Sequence, residues 1–164
     1  MAKQSTPRSA SHEGTKSIAT NRRARFDYEF VDTVEAGMVL LGSEVKSLRG
    51  GKADLRDAYG SVKDGELWLH GLRISPYEFA RDGGHDPDRS RKLLLHRLEI
   101  TRIASSLAEK GLTLIPTKLY FREGKVKVEI GLAKGKTKYD KRETLKRRQA
   151  DREMDRAIRH KGID

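Results

Sequence analysis

The residue types that usually carry catalysis or hold a metal are few and scattered in this chain of 164 residues. There is no cysteine, which excludes disulfides, thiolate nucleophiles and cysteine-ligated zinc or iron–sulfur sites. No histidine pair has metal-motif spacing, and neither a G-x-S-x-G elbow nor a P-loop is present. The histidines are His12, His70, His85, His96 and His160. The sequence gives no positive sign of an enzyme, and we expect neither cofactor nor metal.

The acidic pair Asp86 and Asp88 is the one group that offers oxygen ligands to a hard cation. Gly83 and Gly84 precede the pair and Pro87 interrupts it, which is typical of a polar loop. We favour the loop. A hydrolase that uses both carboxylates with a metal stays as an alternative, and a chelator would inactivate it.

Basic side chains are the chemistry in which the sequence is rich. Lys and Arg number 35 against 24 Asp and Glu, a net charge of +11, which indicates a polyanionic partner such as nucleic acid. Guanidinium groups offer forked donors to phosphates and base edges. A single basic cluster is often plain solvated surface, but several that a barrel brings together favour nucleic acid. The clusters are Asn21-Arg22-Arg23-Ala24-Arg25, Arg89-Ser90-Arg91-Lys92, and Lys125 with Lys127.

The elements that position these residues belong to one domain. Residues 17–134 hold most of the apolar side chains and are predicted to form it, whereas residues 1–16 form a disordered arm and 135–164 a basic tail. No run approaches the ~18–20 apolar residues that span a bilayer. We therefore expect a soluble protein. The lack of cysteine fits a reducing cytoplasm, and we expect a monomer that does not bind membranes.

Period-two alternation predicts strands over most of the domain. Asp64-Gly65 and Glu123-Gly124 lie between strand-like runs, and Asp-Gly in particular favours a type I′ hairpin turn. The predicted strands cover residues 26–30, much of 37–48, and hairpins at 62–69 and 119–130. Three consecutive leucines follow Lys92, and at least one of them must face outward if the segment is extended.

Helical spacing is clear once, from Ile100 to Ala108, with a stop at Gly111. A short helix at 18–25 and a helical turn at 54–58 are weaker predictions. Antiparallel hairpins with one helix before the last pair predict a mainly β protein: a small OB-like antiparallel barrel with about three helices.

The tail is predicted to be disordered when free and helical when bound to RNA. Residues 140–159 contain no Gly or Pro and are rich in strong helix formers. Arg148, Arg152 and Arg156 would form a repulsive ridge on one helix face, which a polyanion would relieve. A permanent solvated helix is the alternative.

Several blocks, in this order, resemble the SmpB family of SsrA-binding proteins, and the likeness covers residues 17–159. The blocks are Ser17–Tyr28, Glu35-Ala36-Gly37, Gly42–Arg49, Gly51-Lys52-Ala53, Asp86–Leu95, Lys125–Lys136 and Asp140-Lys141-Arg142. The resemblance implies an OB-like barrel without enzymatic activity. It further implies binding to the tRNA-like part of transfer-messenger RNA (tmRNA), delivery of that RNA to ribosomes stalled on messages lacking a stop codon, and a tail that enters the decoding centre and message channel.

The resemblance also implies site residues. The positions that match RNA-contacting positions of the family are Asn21, Glu35, Leu94 and Lys127. By their chemistry, Asn21 and Glu35 can hydrogen-bond base edges or ribose hydroxyls, Lys127 can neutralise a phosphate, and Leu94 can cover a base. Tyr139 stands where other members often carry His, which preserves stacking and loses a titratable ring. With the basic clusters, the predicted tmRNA-binding set is Asn21, Arg22, Arg23, Glu35, Arg91, Lys92, Leu94, Lys125 and Lys127. The predicted ribosome-binding set is Lys134, Lys136, Lys138, Tyr139, Asp140, Lys141, Arg142, Arg148, Arg152 and Arg156. A structural ribosomal protein, or a general ribosomal-RNA binder, is the alternative.

Overall fold

The computed structural model describes residues 14–81, 84–136 and 138–161. In chain order its elements are β1 (Thr15–Thr20), α1 (Ala24–Asp27), β2 (Tyr28–Met38), α2 (Gly42–Arg49), β3 (Ala53–Asp54), β4 (Tyr59–Lys63), β5 (Glu66–His70), β6 (Arg73–Ile74), β7 (Arg91–Leu94), α3 (Arg97–Lys110), β8 (Thr113–Arg122), β9 (Lys125–Gly135) and α4 (Lys138–Lys161). Among these described helices, none has the length and apolar content needed to cross a membrane.

Six antiparallel strands close into a ring in the described part of the chain. The main sheet has the order β1–β8–β4–β5–β7–β2–β9, and β9 pairs again with β8, which closes the barrel. Strand β1 adds to β8 outside the ring, and β3 pairs with β6 in a separate ladder. The predicted mainly β antiparallel barrel with a few helices is confirmed.

The two faces of the strands differ as the period-two pattern predicts. Inward side chains such as Leu67, Leu69 and Ile130 are fully buried in one apolar core. Both predicted hairpins are confirmed, and the four residues of their turns, Asp64-Gly65 and Glu123-Gly124, all have positive φ angles. The predicted helix at 100–108 lies within α3, and Gly111 ends it in the left-handed conformation.

The strand predicted over 37–48 is wrong beyond Met38, because residues 42–49 form helix α2. At the start of this helix the Glu44 carboxylate accepts a hydrogen bond from the Leu41 N–H at 2.9 Å. Val45 and Leu48, three residues apart, both pack on the core. Alternating apolar residues before Gly42 concealed this change of period from two to 3.6.

Two predictions around the N-terminal motif are also wrong. The helix predicted at 18–25 is wrong for residues 18–20, which belong to strand β1, and α1 begins only at Ala24. The strand predicted from Phe26 therefore begins at Tyr28. Residues 54–58 form no helical turn; the Ala58 N–H donates to the Leu55 carbonyl at 3.1 Å and closes a tight turn.

The tail is a helix of 24 residues, Lys138–Lys161. A helix is expected both for a tail that folds on RNA and for the alternative of a permanent helix, so disorder of the free tail stays a prediction. The division into arm, barrel and tail stays a prediction as well: residues 1–13 lie outside the described residues, β1 begins at Thr15, and β9 ends at Gly135.

Candidate nucleic-acid interface

The outward side of strands β7, β2, β9 and β8 collects polar and apolar side chains on a continuous surface, here called the outer sheet face. Gly37 on β2 is the cross-strand partner of Leu94 on one side and of Lys127 on the other. Lys127 is in turn the partner of Tyr120 on β8. Residues opposite each other in neighbouring strands lie within side-chain contact. The register therefore aligns Leu94, Gly37, Lys127 and Tyr120 in one row across four strands.

Gly37 lets the side chains on either side of it come together. A Cβ atom added at this position would lie 3.4 Å from Leu94 Cβ and 3.8 Å from Lys127 Nζ. The Leu94 residue is 52% exposed, and Lys127 has no ion-pair partner among the described residues. An exposed apolar side chain beside an unpaired cation suits a nucleotide, since leucine can cover a base while lysine neutralises the phosphate.

Glu35 lies on the same face, two residues before Gly37, and its carboxylate is already engaged. Its Oε2 atom accepts a hydrogen bond from the Tyr120 hydroxyl and forms an ion pair with Arg122 Nη1 at 2.7 Å. The Arg122 guanidinium also lies 5.7 Å from the centre of the Tyr120 ring. Burial, with the hydrogen bond to Glu35 and its negative charge, raises the pKa of Tyr120, so the phenol stays protonated and donating.

Sequence reasoning found Glu35 and missed its partners Tyr120 and Arg122. The signal was present in the second predicted hairpin, since Tyr120 and Arg122 share the outward face with Lys125 and Lys127. Arg122 and Lys125 are direct cross-strand partners next to the turn.

Asn21 is buried at 6% exposure, which corrects its predicted role as a direct RNA contact. Its amide nitrogen donates to the carbonyls of Leu55 and Pro116 at 3.4 and 3.2 Å. Its Oδ1 atom accepts the Ala24 N–H at 3.2 Å. The side chain thus ties the start of α1 to the barrel, and the RNA-facing positions there are its exposed neighbours Arg22 and Arg23.

Arg91 is the second correction, because its side chain is completely buried. It forms an ion pair with the equally buried carboxylate of Glu44, and its Nη1 atom donates to the carbonyls of Leu72 and Arg89 at 2.7 and 2.8 Å. Strand side chains alternate, so Arg91 points inward with Leu93 while its neighbour Lys92 points outward. Arg91 therefore holds α2 and β7 together and is not available to RNA.

Lys92 is only partly free. Its Nζ atom lies 2.7 Å from Glu66 Oε1, and the two side chains are 38% and 43% exposed.

Glu44 lies on the inner side of β7, opposite Lys92. Burial alone would raise the pKa of Glu44, but the Leu41 N–H and the guanidinium groups of Arg89 and Arg91 have the larger effect and hold that pKa below its usual range. Glu44 stays ionised and balances the charge of Arg91 on the inner side of β7.

The base of α4 rests on α1. Lys141 Nζ lies 3.3 Å from Asp27 Oδ1, and the cationic groups of Lys141 and Arg148 lie 5.8 and 5.9 Å from the centre of the Phe26 ring. Lys136 Nζ donates to the Arg25 carbonyl at 3.0 Å. The remaining predicted tail residues whose side chains are described are exposed: Lys134, Arg142, Arg152 and Arg156. The side chains of Lys138, Tyr139 and Asp140 lie outside the described residues.

The structure thus unites part of the predicted set and separates the rest. Leu94, Lys127 and Glu35 share the outer sheet face, with Lys125 at its end. Arg22 and Arg23 lie at α1, near the root of the tail. Within the described ranges no three His, Cys, Asp or Glu side chains are grouped to hold a metal, and Asp86 Oδ1 instead accepts the Asp88 N–H at 3.0 Å.

A closed antiparallel barrel with a basic and apolar outer face and a long basic helix defines a small β-barrel protein of the nucleic-acid-binding class. The chain belongs to the SmpB family, because the family model for SmpB protein matches residues 18–160.

Relatives agree along almost the whole chain. The SsrA-binding protein of Syntrophotalea carbinolica is 58% identical over 89% of this chain and 97% of its own length. The SsrA-binding protein of Syntrophomonas wolfei is 52% identical over 91% of this chain and 95% of its own. Among solved structures, a chain described under "tmRNA-SmpB: a journey to the center of the bacterial ribosome" is similar, with a TM-score of 0.63 and 49% identity over 77% of this chain and 93% of that one.

Proposed function

We propose that this protein is an RNA-binding adaptor of trans-translation. It binds the tRNA-like domain of tmRNA (SsrA RNA) through the outer sheet face and delivers that RNA to stalled ribosomes. The observation that carries the proposal is the row of Leu94, Gly37 and Lys127, in a chain 58% identical to an SsrA-binding protein. The protein acts as a monomer in the cytoplasm, binds no membrane or cofactor, and catalyses no reaction.

The tail has a separate task in this proposal. Its basic side chains contact ribosomal RNA while the helix probes the empty decoding site and message channel. The basic ridge supports this division, since Arg148, Arg152 and Arg156 recur every four residues along a helix that is exposed from Leu145 onward, where the structure describes its side chains. The residues assigned to the task are Lys134, Lys136, Lys138, Tyr139, Asp140, Lys141, Arg142, Arg148, Arg152 and Arg156.

The remaining tmRNA-binding assignments follow from exposure. Arg22 and Arg23 are exposed on the turn into α1, and Lys125 is exposed at the hairpin tip. Lys92 and Lys125 offer phosphate contacts on the outer sheet face, beside the row of Leu94, Gly37 and Lys127, whereas Arg22 and Arg23 offer them at α1. Glu35 belongs to the site through its two partners.

Replacing Lys127 by alanine is expected to weaken tmRNA binding at every salt concentration. A lysine that neutralises one phosphate releases about one counterion, so the plot of log association constant against log salt should become less steep by about one unit. Fluorescence anisotropy with the labelled tRNA-like domain across a salt series measures both effects.

Lys110→Ala is the matched control. Lys110 is exposed at the end of α3, so this substitution removes the same charge at a site away from the outer sheet face. Its salt dependence should stay that of the wild type. Equal slopes for the two variants would place the phosphate contact elsewhere.

A general ribosomal-RNA binder shares the basic tail and is the second candidate. Recovering the protein from lysate and sequencing the bound RNA separates the two. One dominant structured RNA supports the adaptor, whereas bulk ribosomal RNA and an equal amount of protein on every ribosome support the alternative.

A further inference from the structure

A groove of about 390 Å³ opens on the outer sheet face, at the end of the row formed by Leu94, Gly37, Lys127 and Tyr120. Its size falls in the range of about 300–1,000 Å³ that suits a small ligand. Strand β1 forms one wall and β2 the other, with β8 and β9 between them. The side chains that line the groove include Ser17, Thr20, Thr33, Glu35, Tyr120 and Arg122.

The floor of the groove is held in place by Glu35. The carboxylate accepts a hydrogen bond from Tyr120 and forms an ion pair with Arg122, so it holds an aromatic ring and a planar guanidinium group next to each other. Both groups stack on nucleobases. Because Arg122 neutralises Glu35, the carboxylate does not repel an incoming anion. Glu35 is thus a positioning residue, and Tyr120 and Arg122 are the groups presented to the ligand.

The wall of β1 supplies hydroxyl groups. Ser17 is the cross-strand partner of Tyr120, and Thr20 is the partner of Lys118. Thr33 faces them from β2. Hydroxyl side chains can both donate to and accept from a ribose 2′-hydroxyl, the group that distinguishes RNA from DNA.

The position of the groove links it to the RNA. Tyr120 is the direct cross-strand partner of Lys127, so the groove begins one strand away from the proposed phosphate contact. A nucleotide whose phosphate lies at Lys127 can place its base and ribose in the groove only if the base leaves the stack of its neighbours.

We propose that this groove receives one unstacked nucleoside of the bound RNA, with its base against Tyr120 and Arg122 and its ribose against the hydroxyl groups of β1 and β2. The inference rests on the proposed function. It adds Tyr120 and Arg122 as contact residues and assigns Glu35 to their orientation.

The test uses the full chain with tmRNA and chemical acylation of the ribose 2′-hydroxyls. At saturating protein, the wild type should protect one nucleotide that Tyr120→Leu leaves reactive. Loss of base stacking on the ring should lower the affinity of Tyr120→Leu at least about fivefold. Phe79→Leu is the matched control, since Phe79 is an exposed aromatic residue on a loop outside the groove, and it should behave as the wild type.

A second arm separates positioning from folding. RNA with a 2′-deoxy substitution at the protected nucleotide should bind the wild type several-fold more weakly than the unmodified RNA does. The Tyr120→Leu variant should bind the two RNAs with equal affinity. Glu35→Gln should unfold at nearly the wild-type urea concentration yet lose most of this discrimination between ribose and deoxyribose. Additive losses for protein and RNA changes, or full discrimination by Glu35→Gln, would overturn the inference.

A third arm distinguishes a nucleoside of the RNA from a free nucleotide as the occupant of the groove. It also distinguishes failure of the groove inference from failure of the proposed function. Free AMP, GMP, CMP and UMP at millimolar concentration should not displace tmRNA; displacement by one of them would assign the groove to a free nucleotide. If the wild type prefers tmRNA but Tyr120→Leu protects and binds it equally well, only the groove inference fails. If the wild type shows no preference for tmRNA over other structured RNAs, both fail.

Discussion

Replacing Arg91 by alanine is expected to lower the free energy of unfolding by about 3–5 kcal/mol, because breaking a buried ion pair is strongly destabilising and leaves Glu44 with only the partly exposed Arg89 as its counter-charge. Arg91 and Glu44 are both completely buried, and the substitution also leaves the carbonyls of Leu72 and Arg89 without their donor. Urea denaturation measures the loss as a lower midpoint with an unchanged slope.

The neighbouring residue supplies the control. Lys92→Ala removes a lysine whose ion pair with Glu66 is partly exposed, so its expected cost is about 0–1 kcal/mol. RNA affinity should respond in the opposite order, since Lys92 faces outward and Arg91 does not. A stable Arg91→Ala protein that has lost tmRNA affinity would contradict this order and would show that Arg91 contacts RNA.

This contrast between adjacent residues shows what alternation alone can predict. The sequence identified Arg91 and Lys92 as one basic cluster, and their opposite directions follow from strand geometry once β7 is known. The partner of Arg91 lies 47 residues away on α2, a segment that was predicted as strand. Because the helix was missed, the buried carboxylate that captures Arg91 was missed with it.

The outer sheet face divides in the same way. Lys127 could be predicted as outward-facing from the alternating strand. The three leucines predicted only that at least one of them faces outward, and the motif resemblance singled out Leu94 and added Glu35. Leu94 and Lys127 lie on either side of Gly37 because of the register of three strands, which no local pattern determines. The contact of Tyr120 with Glu35 joins residues 85 apart in the chain. Contacts of that kind form only when the barrel closes. Local sequence patterns can therefore predict which residues face outward, but they cannot predict which residues contact each other.

Deleting all residues after Gly135 is expected to leave tmRNA affinity within a few-fold of the wild type and to abolish tagging of stalled peptides. The outer sheet face lies entirely on strands that end at or before Gly135. The deletion removes a net charge of +5 and leaves +6 on the rest of the chain, so electrostatic attraction to RNA persists. Anisotropy with tmRNA and a cell-free tagging assay on a message without a stop codon measure the two activities.

A proline within α4 tests whether the tail acts as a helix or only as a cationic chain. Leu145 is exposed, so Leu145→Pro keeps every charge and disturbs no core contact, but it destabilises the helix by about 3 kcal/mol relative to Leu145→Ala. The proline variant should bind tmRNA normally and tag poorly, whereas the alanine variant should do both normally. Normal tagging by the proline variant would mean that the charge of the tail is sufficient without the helix.

Loss of all RNA affinity when the residues after Gly135 are deleted would contradict the separate roles of barrel and tail. The contacts of Lys141 and Arg148 with α1 would then be part of the tmRNA site.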